Sequence, residues 1–421
     1  MTNTATAGPN RRANRALAEK QHADTESATA KAINDFLQQD LLSQASAVGQ
    51  ADAGQTLGPD LKVRTALDRA AARIAGRFDR QPLVEAAIRH TIGDTYWGLG
   101  LFQEAQVQAQ RALDLRRDAL GEEHHDTVDS MLLLARVYRE EGKYGDAEPL
   151  VAAAVRIRSR TLGERNTETL LALHELALLY YDEGKLSQAE PIYVRVLEER
   201  RRILGPEHED TLASMNNLGN LYVQGGRYAQ AEPLFAQTLE LFRRVKGEED
   251  PNTLVIAQNL GNLYVQERKY TPAEPLLLRV LEADRRVFGE ENTYILKAMA
   301  TLERLCRNTG RYAEAETLAV KVLETRRRLF GAEHPDTLTA MNNLAVLYSA
   351  QARYGDSEPL LAQALESSRR LYGEEHRGTL DARFNLAFAY MAKGSSLWRR
   401  GCSSRTPRRC AACLARNTPI P

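Results

Sequence analysis

The sequence is poor in cysteine and contains no long apolar stretch. Only four cysteines occur among its 421 residues, too few to suggest a disulfide framework. No segment approaches the ~18 consecutive apolar residues that a membrane-spanning helix requires, and the N-terminus has no apolar signal core. We therefore expect a chain without a membrane span, located in a reducing, cytoplasmic compartment.

Net charge is also absent. Lysine and arginine together number 56, as do aspartate and glutamate. Because the last thirty residues carry seven basic groups and no acid, the 391 residues before them have a net charge of −7. A mildly acidic body is poorly suited to a phosphate backbone. Nucleic acid is therefore not an expected partner.

Catalytic signatures are missing as well. The chain contains no Gly-x-x-x-x-Gly-Lys phosphate loop, no His-Glu-x-x-His or Gly-x-Ser-x-Gly motif and no kinase signature. We therefore predict a non-catalytic protein, with no catalytic residue, no cofactor and no metal.

Two groups of metal-type ligands have a simpler explanation. Histidine recurs between predicted helices with an aspartate beside it, at His124 and Asp126, His208 and Asp210, His334 and Asp336, and as a lone His376. Local packing of the histidine and helix capping by the aspartate explain this recurrence better than a metal site does. Cys402, Cys410 and Cys413 supply three thiols, but no histidine lies nearby to complete a zinc site, which remains the weaker alternative.

A strict repeat dominates what is present. Glycine closes a basic and apolar run every 42 residues, at Gly121, Gly163, Gly205, Gly247, Gly289, Gly331 and Gly373. A period of this length, held over seven markers, is typical of stacked repeat architectures, in which each unit buries its apolar face against the next.

Residues 205–246 show what one unit encodes. A polar loop leads into apolar residues at helical spacing, with Asp210 or Thr211 as the expected N-cap. A pair of glycines ends this first helix, and a second helix follows. Gly219 and Ala231 are small, so the two helices can approach closely. The unit is thus predicted to be a helical hairpin that must stack on copies of itself.

The unit resembles a tetratricopeptide repeat. The resemblance rests on a small residue before a tyrosine, a Gly-x-Tyr turn and an Ala-Glu-Pro sequence, at Gly219 and Tyr222, Gly226 and Tyr228, and Ala231 to Pro233. The 42-residue length, with Glu-His-x-Asp-Thr-Leu and Asn-Asn-Leu, is similar to the kinesin light chain variety, which is abundant in bacterial signalling proteins. The resemblance covers residues 80–394. It implies an all-α fold, a right-handed superhelical solenoid of antiparallel helix pairs.

The repeat register divides the chain into four parts. Residues 1–30 have no period and are expected to be disordered, and residues 31–78 are expected to form N-terminal helices and a half-repeat cap. Residues 79–394 hold the array, with units that start near 79, 121, 163, 205, 247, 289, 331 and 373. No apolar period survives in residues 395–421, which are expected to be a disordered, basic, cysteine-containing tail. We hypothesise that this tail is a frame-shifted or truncated end, which leaves the preceding helix without its partner.

The unit from Gly289 departs from the others. It has Glu303 in place of the usual small residue, Cys306 in place of tyrosine and Thr317 in place of proline. A glutamate at this position is forced into a tight helix contact or pushes the two helices apart. We therefore expect the stack to be most irregular here.

Candidate binding residues lie on the first helix of each unit, because the resemblance implies that these helices line a concave groove. Residues spaced i, i+4 and i+8 form one stripe along a helix. Neutral amides there can donate to and accept from a peptide backbone, and arginines on flanking repeats suit acidic side chains. The predicted groove residues are Asn216, Asn220, Gln224, Gln258, Asn262, Gln266, Asn342, Arg136 and Arg304.

A structural role for the amides is the competing interpretation. The same side chains can form hydrogen bonds between repeats rather than with a ligand. The neighbouring amides face one step round the helix and are assigned this structural role, at Asn217, Asn259, Asn343 and Asn385.

Two hypotheses of function follow. The first is a non-catalytic scaffold that binds an extended peptide segment of a partner protein in the groove. The alternative is the regulatory or sensor portion of a larger bacterial signalling enzyme, a Ser/Thr kinase or an NTPase, whose catalytic domain is absent from this chain. An adjacent reading frame that encodes a kinase and a membrane helix would favour the alternative.

Overall fold

The computed structural model describes residues 63–74, 76–289, 292–375 and 377–401, and every regular element in these ranges is a helix. The chain divides into two compact units, residues 1–199 and 200–421. The helices are α1 (Val63–Ile74), α2 (Pro82–Gly98), α3 (Phe102–Leu120), α4 (His125–Glu140), α5 (Tyr144–Leu162), α6 (Thr167–Asp182), α7 (Leu186–Ile203), α8 (Glu209–Gln224), α9 (Tyr228–Lys246), α10 (Pro251–Gln266), α11 (Tyr270–Phe288), α12 (Thr293–Asn308), α13 (Tyr312–Phe330), α14 (Pro335–Ala350), α15 (Tyr354–Tyr372) and α16 (Arg377–Gly401).

Helices pair and then stack in the predicted register. In the pair α8 and α9, a first helix of 16 residues packs on a second helix of 19 residues. Successive pairs pack through α3 and α4 or α5 and α6 in the first unit, and through α9 and α10, α11 and α12 or α13 and α14 in the second. The 42-residue glycines end second helices at positive φ, for example 83° at Gly121 and 95° at Gly247, a conformation that glycine adopts without strain. The fold is therefore the predicted all-α solenoid of antiparallel helix pairs.

The residue that caps three of the first helices differs from our expectation. At α8 the cap is His208, whose Nδ1 accepts a hydrogen bond from the backbone N–H of Asp210 at 3.2 Å. His124 and His334 cap α4 and α14 in the same way. Asp210 and Thr211 both lie inside α8, so the predicted aspartate or threonine cap is wrong. A cap side chain accepts from the N–H of the second or third helical residue, and in these three helices the residue at the cap is histidine, not aspartate.

Small residues of the first helices face large residues of the second. A Cβ added to Gly219 would lie 2.6 Å from Cε1 of Phe235, and one added to Gly261 would lie 2.6 Å from Cδ2 of Leu277. In both pairs the large residue follows the glycine by the same number of residues. Because a larger side chain would collide with it, both glycines permit the close approach of the two helices that the sequence predicts. Any larger side chain at these positions must displace its partner.

Glu303 occupies the same position in α12 but does not separate the helices. The offset that joins Gly219 to Phe235 joins Glu303 to Ala319, so here the large residue is on the first helix and the small one on the second. Glu303 is 2% exposed, and its Oε1 accepts a hydrogen bond from Nε of Arg307 at 3.1 Å. Helices α12 and α13 keep the usual 16 and 19 residues. Of the two alternatives for Glu303, burial in the helix contact is the one observed.

An arginine near the end of several second helices ties one repeat to the next. Its Nη1 donates to the backbone carbonyl ten residues later, at 2.8–3.2 Å, and its side chain is at most 8% exposed. The residues are Arg116, Arg158, Arg200 and Arg326. At the same register position α11 carries Asp284, which is 1% exposed and has no partner for either carboxylate oxygen among the described residues. Burial raises the pKa of Asp284 to about 6.

The two ends of the array agree only partly with the predicted boundaries. Helix α1 lies within the predicted N-terminal cap and buries Leu67 and Ile74 against Ile88 of α2. Helix α16 continues to Gly401, past the boundary expected near residue 394, because no proline interrupts it before this point. The expectations for residues 1–62 and 402–421, and for His376, lie outside the described residues.

Two properties of the described helices concern the expected absence of a membrane span: their exposed apolar side chains and their apolar length. Helix α16 exposes apolar side chains, with 68% of Phe384 and 66% of Met391 accessible to solvent. None of the described helices combines the length and the apolar character that crossing a membrane requires.

Candidate functional site

The predicted groove residues of the second unit lie on one face of its first helices. They are distributed over α8, α10, α12 and α14, and all are half-buried. We call this surface the first-helix face; its stripe is formed by Asn216, Asn220, Gln224, Gln258, Asn262, Gln266, Arg304 and Asn342.

Part of this amide stripe stabilises the stack itself. Nδ2 of Asn259 donates to Oδ1 of Asn216 at 2.8 Å, and Nδ2 of Asn385 donates to Oδ1 of Asn342 at 3.0 Å. Asn216 and Asn342 were predicted to bind peptide, yet each already accepts a hydrogen bond from the following repeat. Asn259 and Asn385 have the structural role that the sequence predicts for them. Some amide atoms of this face are therefore used in hydrogen bonds between repeats, as the competing interpretation states, whereas others stay candidates for binding a peptide.

The amide bridge is interrupted at α12, where a pocket opens. The corresponding residues there are Ala300 and Thr301, and the hydroxyl of Thr301 donates to the carbonyl of Lys297 at 3.1 Å. Without an amide at either position, α12 cannot form this bridge with α10 or α14. A pocket of about 310 Å³ lies between these first helices. We call it the α12 pocket; it is lined by Gln258, Asn259, Asn262, Lys297, Ala300, Thr301, Glu303, Arg304, Arg307, Arg326, Thr339 and Asn343.

The α12 pocket is positively charged. Lys297, Arg304, Arg307 and Arg326 line it, and Glu303 is its only acid. Burial lowers the pKa of Arg304, and the neighbouring Arg307 lowers it further. Burial also raises the pKa of Glu303, against the opposing effect of Arg307. The pocket thus places Arg304 and Arg326 in poorly solvated positions beside Arg307 and the exposed Lys297, where an anionic group that enters reduces their mutual repulsion.

Sequence reasoning identified some of the pocket residues and missed others. Gln258, Asn262 and Arg304 belong to the predicted stripe, and the structure brings them together in the α12 pocket. The stripe residues of α8 and the remaining stripe residues of α10 and α14 lie outside its lining. Lys297 and Arg307 were missed. The signal for both was present, because the preceding repeat has valine at the corresponding positions, Val255 and Val265.

Arg136 belongs to the first unit and has local partners there. Its guanidinium carbon lies 5.3 Å from the ring centroid of Trp97, and its Nη1 lies 3.8 Å from Oδ1 of Asp94. The arginine is therefore held as a cation–π pair on the face of the first helices of this unit.

One group of potential metal ligands occurs among the described residues, beside the predicted histidine set. Ligand atoms of His125, Asp126 and Asp129 lie within 4.8 Å of one another. The guanidinium of Arg158, which is 4% exposed, forms an ion pair with Asp129. Because a buried cation already neutralises this carboxylate, the group is best described as an ion-pair cluster.

Comparisons with known proteins are consistent with the architecture. The family model described as tetratricopeptide repeat matches residues 84–160, 168–244, 224–286, 254–319 and 297–369. Among curated proteins, Nephrocystin-3 from Mus musculus is 40% identical over 65 residues, a segment that spans 15% of this chain and 5% of that protein.

Solved structures extend the comparison to the fold. The quorum sensor NprR from B. thuringiensis in its apo form is 12% identical, with 82% of this chain and 99% of that chain covered and a TM-score of 0.57. NprR in complex with its cognate peptide NprX is 13% identical, with 78% and 89% covered and a TM-score of 0.50. A putative kinesin light chain from Podosopora anserina is 22% identical, with 59% and 98% covered and a TM-score of 0.32.

Proposed function

Because the chain belongs to the tetratricopeptide repeat family, we propose that it is a non-catalytic scaffold whose first-helix face binds an extended segment of a partner protein. The α12 pocket is the observation that carries this proposal. It opens on the face that bears the amide stripe, and both its charge and its amides are suited to polypeptide.

Neutral amides of the stripe outside the pocket lining support main-chain recognition. Asn220, Gln224 and Gln266 form no hydrogen bond to another described residue, so their donors and acceptors are available to a ligand. Each amide both donates and accepts, as a peptide backbone requires. Asn262 accepts a hydrogen bond from Arg304 and so holds this guanidinium at the pocket, where an acidic side chain of the partner can pair with it. The solved complex of NprR with its cognate peptide, which shares the fold, is compatible with a peptide ligand.

Replacement of Asn220 and Asn262 together by alanine tests the proposal. We expect peptide affinity to fall by about 2 kcal/mol, roughly thirtyfold, because each lost amide hydrogen bond contributes about 1 kcal/mol. Affinity is measured by fluorescence anisotropy with the tightest binder selected from a peptide library on the full chain. Gln237→Ala, on the exposed side of α9, is the matched control and should leave affinity unchanged.

The opposite pattern would assign these residues to the stack. A large loss of thermal stability in the double variant, with unchanged affinity for the selected peptide, would contradict the proposal. Failure of the full chain to select any peptide from the library would contradict it as well.

A further inference from the structure

The cations of the α12 pocket differ in their partners within the protein, since one is paired with a carboxylate and two donate to neutral oxygens. Arg307 is paired with the one carboxylate, Glu303. Arg304 donates to the neutral amide oxygen of Asn262, and Arg326 donates from Nη1 to the neutral carbonyl of Asp336 at 2.8 Å. The Nε atoms of Arg304 and Arg326 are buried without a partner among the described residues. Arg304 and Arg326 therefore line the pocket without an ion pair to a carboxylate among the described residues, and Glu303 and Asp336 act on them only from a longer distance.

The stack does not require two of these cations. At the position of Arg304 the next repeat has Val346, and at the position of Lys297 it has Thr339. Helices α14 and α15 nevertheless pack as the other pairs do. Lysine at the position of Lys297 is thus particular to α12, and arginine at the position of Arg304 recurs only as Arg136 of α4, so ligand binding accounts for the pair better than stacking does.

The charge of the pocket exceeds what one carboxylate can neutralise. Four cations and one acid line it, which leaves a formal charge of about +3 when all groups are ionised. A carboxylate supplies one negative charge, whereas a phosphoryl group supplies about −1.5 to −2 and three strong acceptor oxygens. Arginine matches these oxygens in a bidentate manner. The volume of about 310 Å³ leaves room for such a group and the side chain that carries it.

We propose that the α12 pocket binds a phosphoryl group carried by the bound segment, so that the partner is a phosphorylated protein. This inference rests on the proposed peptide-binding function and specifies the chemistry of its ligand. Lys297, Arg304 and Arg326 contact the phosphoryl oxygens, and the amide of Asn343, which also lines the pocket, supplies a neutral donor. Free inorganic phosphate shares this chemistry and is distinguished by the experiment.

Three peptide libraries test the proposal on the full chain, each degenerate around one fixed residue: phosphoserine, glutamate or serine. We expect the phosphoserine library to bind at least about tenfold more tightly than the glutamate library at physiological ionic strength. Inorganic phosphate, tested alone by thermal shift and as a competitor, should displace phosphoserine peptides at millimolar concentration, about 10⁻³ M.

The variant Lys297→Thr with Arg304→Val introduces the residues that the next repeat has at these positions, so the fold is expected to be retained. It should reduce the preference for phosphoserine over glutamate to about onefold. The control Arg268→Gln with Arg279→Gln removes the same charge from two exposed residues outside the pocket and should keep the preference.

The outcomes separate this inference from the function on which it rests. Equal binding of the phosphoserine and glutamate libraries would overturn phosphoryl recognition while leaving the peptide scaffold intact. Binding of inorganic phosphate without binding of any library would overturn the peptide origin of the phosphoryl group together with the proposed function. An equal loss of preference in the control variant would show that net charge, and not the pocket, is recognised, and would also overturn the inference.

Discussion

Two junctions between successive repeats of the second unit carry buried residues of opposite charge type at the same position of the repeat. Between α13 and α14, Arg326 is 6% exposed and donates to the carbonyl of Asp336. Between α11 and α12, Asp284 is 1% exposed and has no donor for either oxygen among the described residues. A buried guanidinium bonded to a carbonyl strengthens the stack, whereas a buried carboxylate without a donor weakens it. The junction that we expect to be the less stable directly precedes α12, which forms the centre of the pocket.

The comparison shows how departures from the repeat are distributed. Asp284, Ala300, Glu303 and Arg304 all deviate from the residues that neighbouring repeats have, and all lie on α11 or α12. Because each repeat of a solenoid contacts only its neighbours, such departures cost stability locally and leave the other repeats unaffected. Residues at a binding site commonly break the local rules of a fold.

The largest expected effect comes from replacing the arginine at the junction between α13 and α14. Arg326→Ala removes a charged hydrogen bond and the packing of a buried side chain, and we expect the free energy of unfolding to fall by about 3 kcal/mol. Urea denaturation measures this loss, and hydrogen exchange should localise it to α13 and α14. Arg327→Ala, at the adjacent exposed position, should change stability by at most about 0.5 kcal/mol. Equal losses in both variants would show that Arg326 is not an anchor.

The opposite change should strengthen the other junction in a pH-dependent manner. Burial raises the pKa of Asp284 from 3.8 to about 6, so the folded state binds a proton that the unfolded state releases. The stabilisation by this proton is complete below pH 3.8 and is lost as the pH rises through about 6. We therefore expect Asp284→Asn to stabilise the protein by about 2 kcal/mol at pH 8, with little effect below pH 4.

Urea denaturation of both proteins across this pH range measures the difference. Glu282→Gln is the control, since Glu282 is exposed on the same helix, and its effect should not vary with pH in this way. A gain for Asp284→Asn that is the same at pH 4 and pH 8 would show that the carboxylate does not titrate in the predicted window.

A third prediction compares the helix pairs rather than the junctions. Two neighbouring pairs place a large residue on the second helix, Phe235 or Leu277, whereas α13 has Ala319 opposite Glu303. Ala319→Leu should therefore overpack the α12 and α13 pair and destabilise it by about 1.5 kcal/mol. The same change in a Glu303→Gly background should be neutral or stabilising. A double-mutant cycle measures this coupling.

The result depends on contact between the two positions. Ala313→Leu, on the exposed side of α13, should show no coupling to Glu303→Gly. Additive effects of Ala319→Leu and Glu303→Gly would show that the volumes at these positions do not compensate each other.

The sequence determined the architecture better than the site. The glycine period predicts the helix pairs because a positive φ at Gly121 or Gly247 strongly favours glycine, and helical spacing predicts which face Asn262 and Arg304 share. Spacing does not show which amide of an Asn-Asn pair reaches the next repeat, nor that Arg307 enters the pocket from beside the stripe on a long side chain. The exchange of volumes between Glu303 and Ala319 is not local in sequence, and it becomes visible only when the helices are paired.

The smallest expected effect concerns the turns inside the helix pairs. Gly226 and Gly310 lie in the turns that follow first helices and have φ of 71° and 79°. Ala352 has a φ of 58° at the same position of the repeat. A side chain at positive φ costs about 1–2 kcal/mol, whereas glycine adopts this conformation freely but loses more entropy on folding. Ala352→Gly should therefore stabilise the protein by about 0.5–1 kcal/mol. Gly310→Ala should destabilise it by a similar amount, because no heavy atom lies within 4 Å of the added Cβ and backbone strain is the only cost. Both differences are measured as urea midpoints, and two neutral variants would show that these turns relax by shifting their backbone.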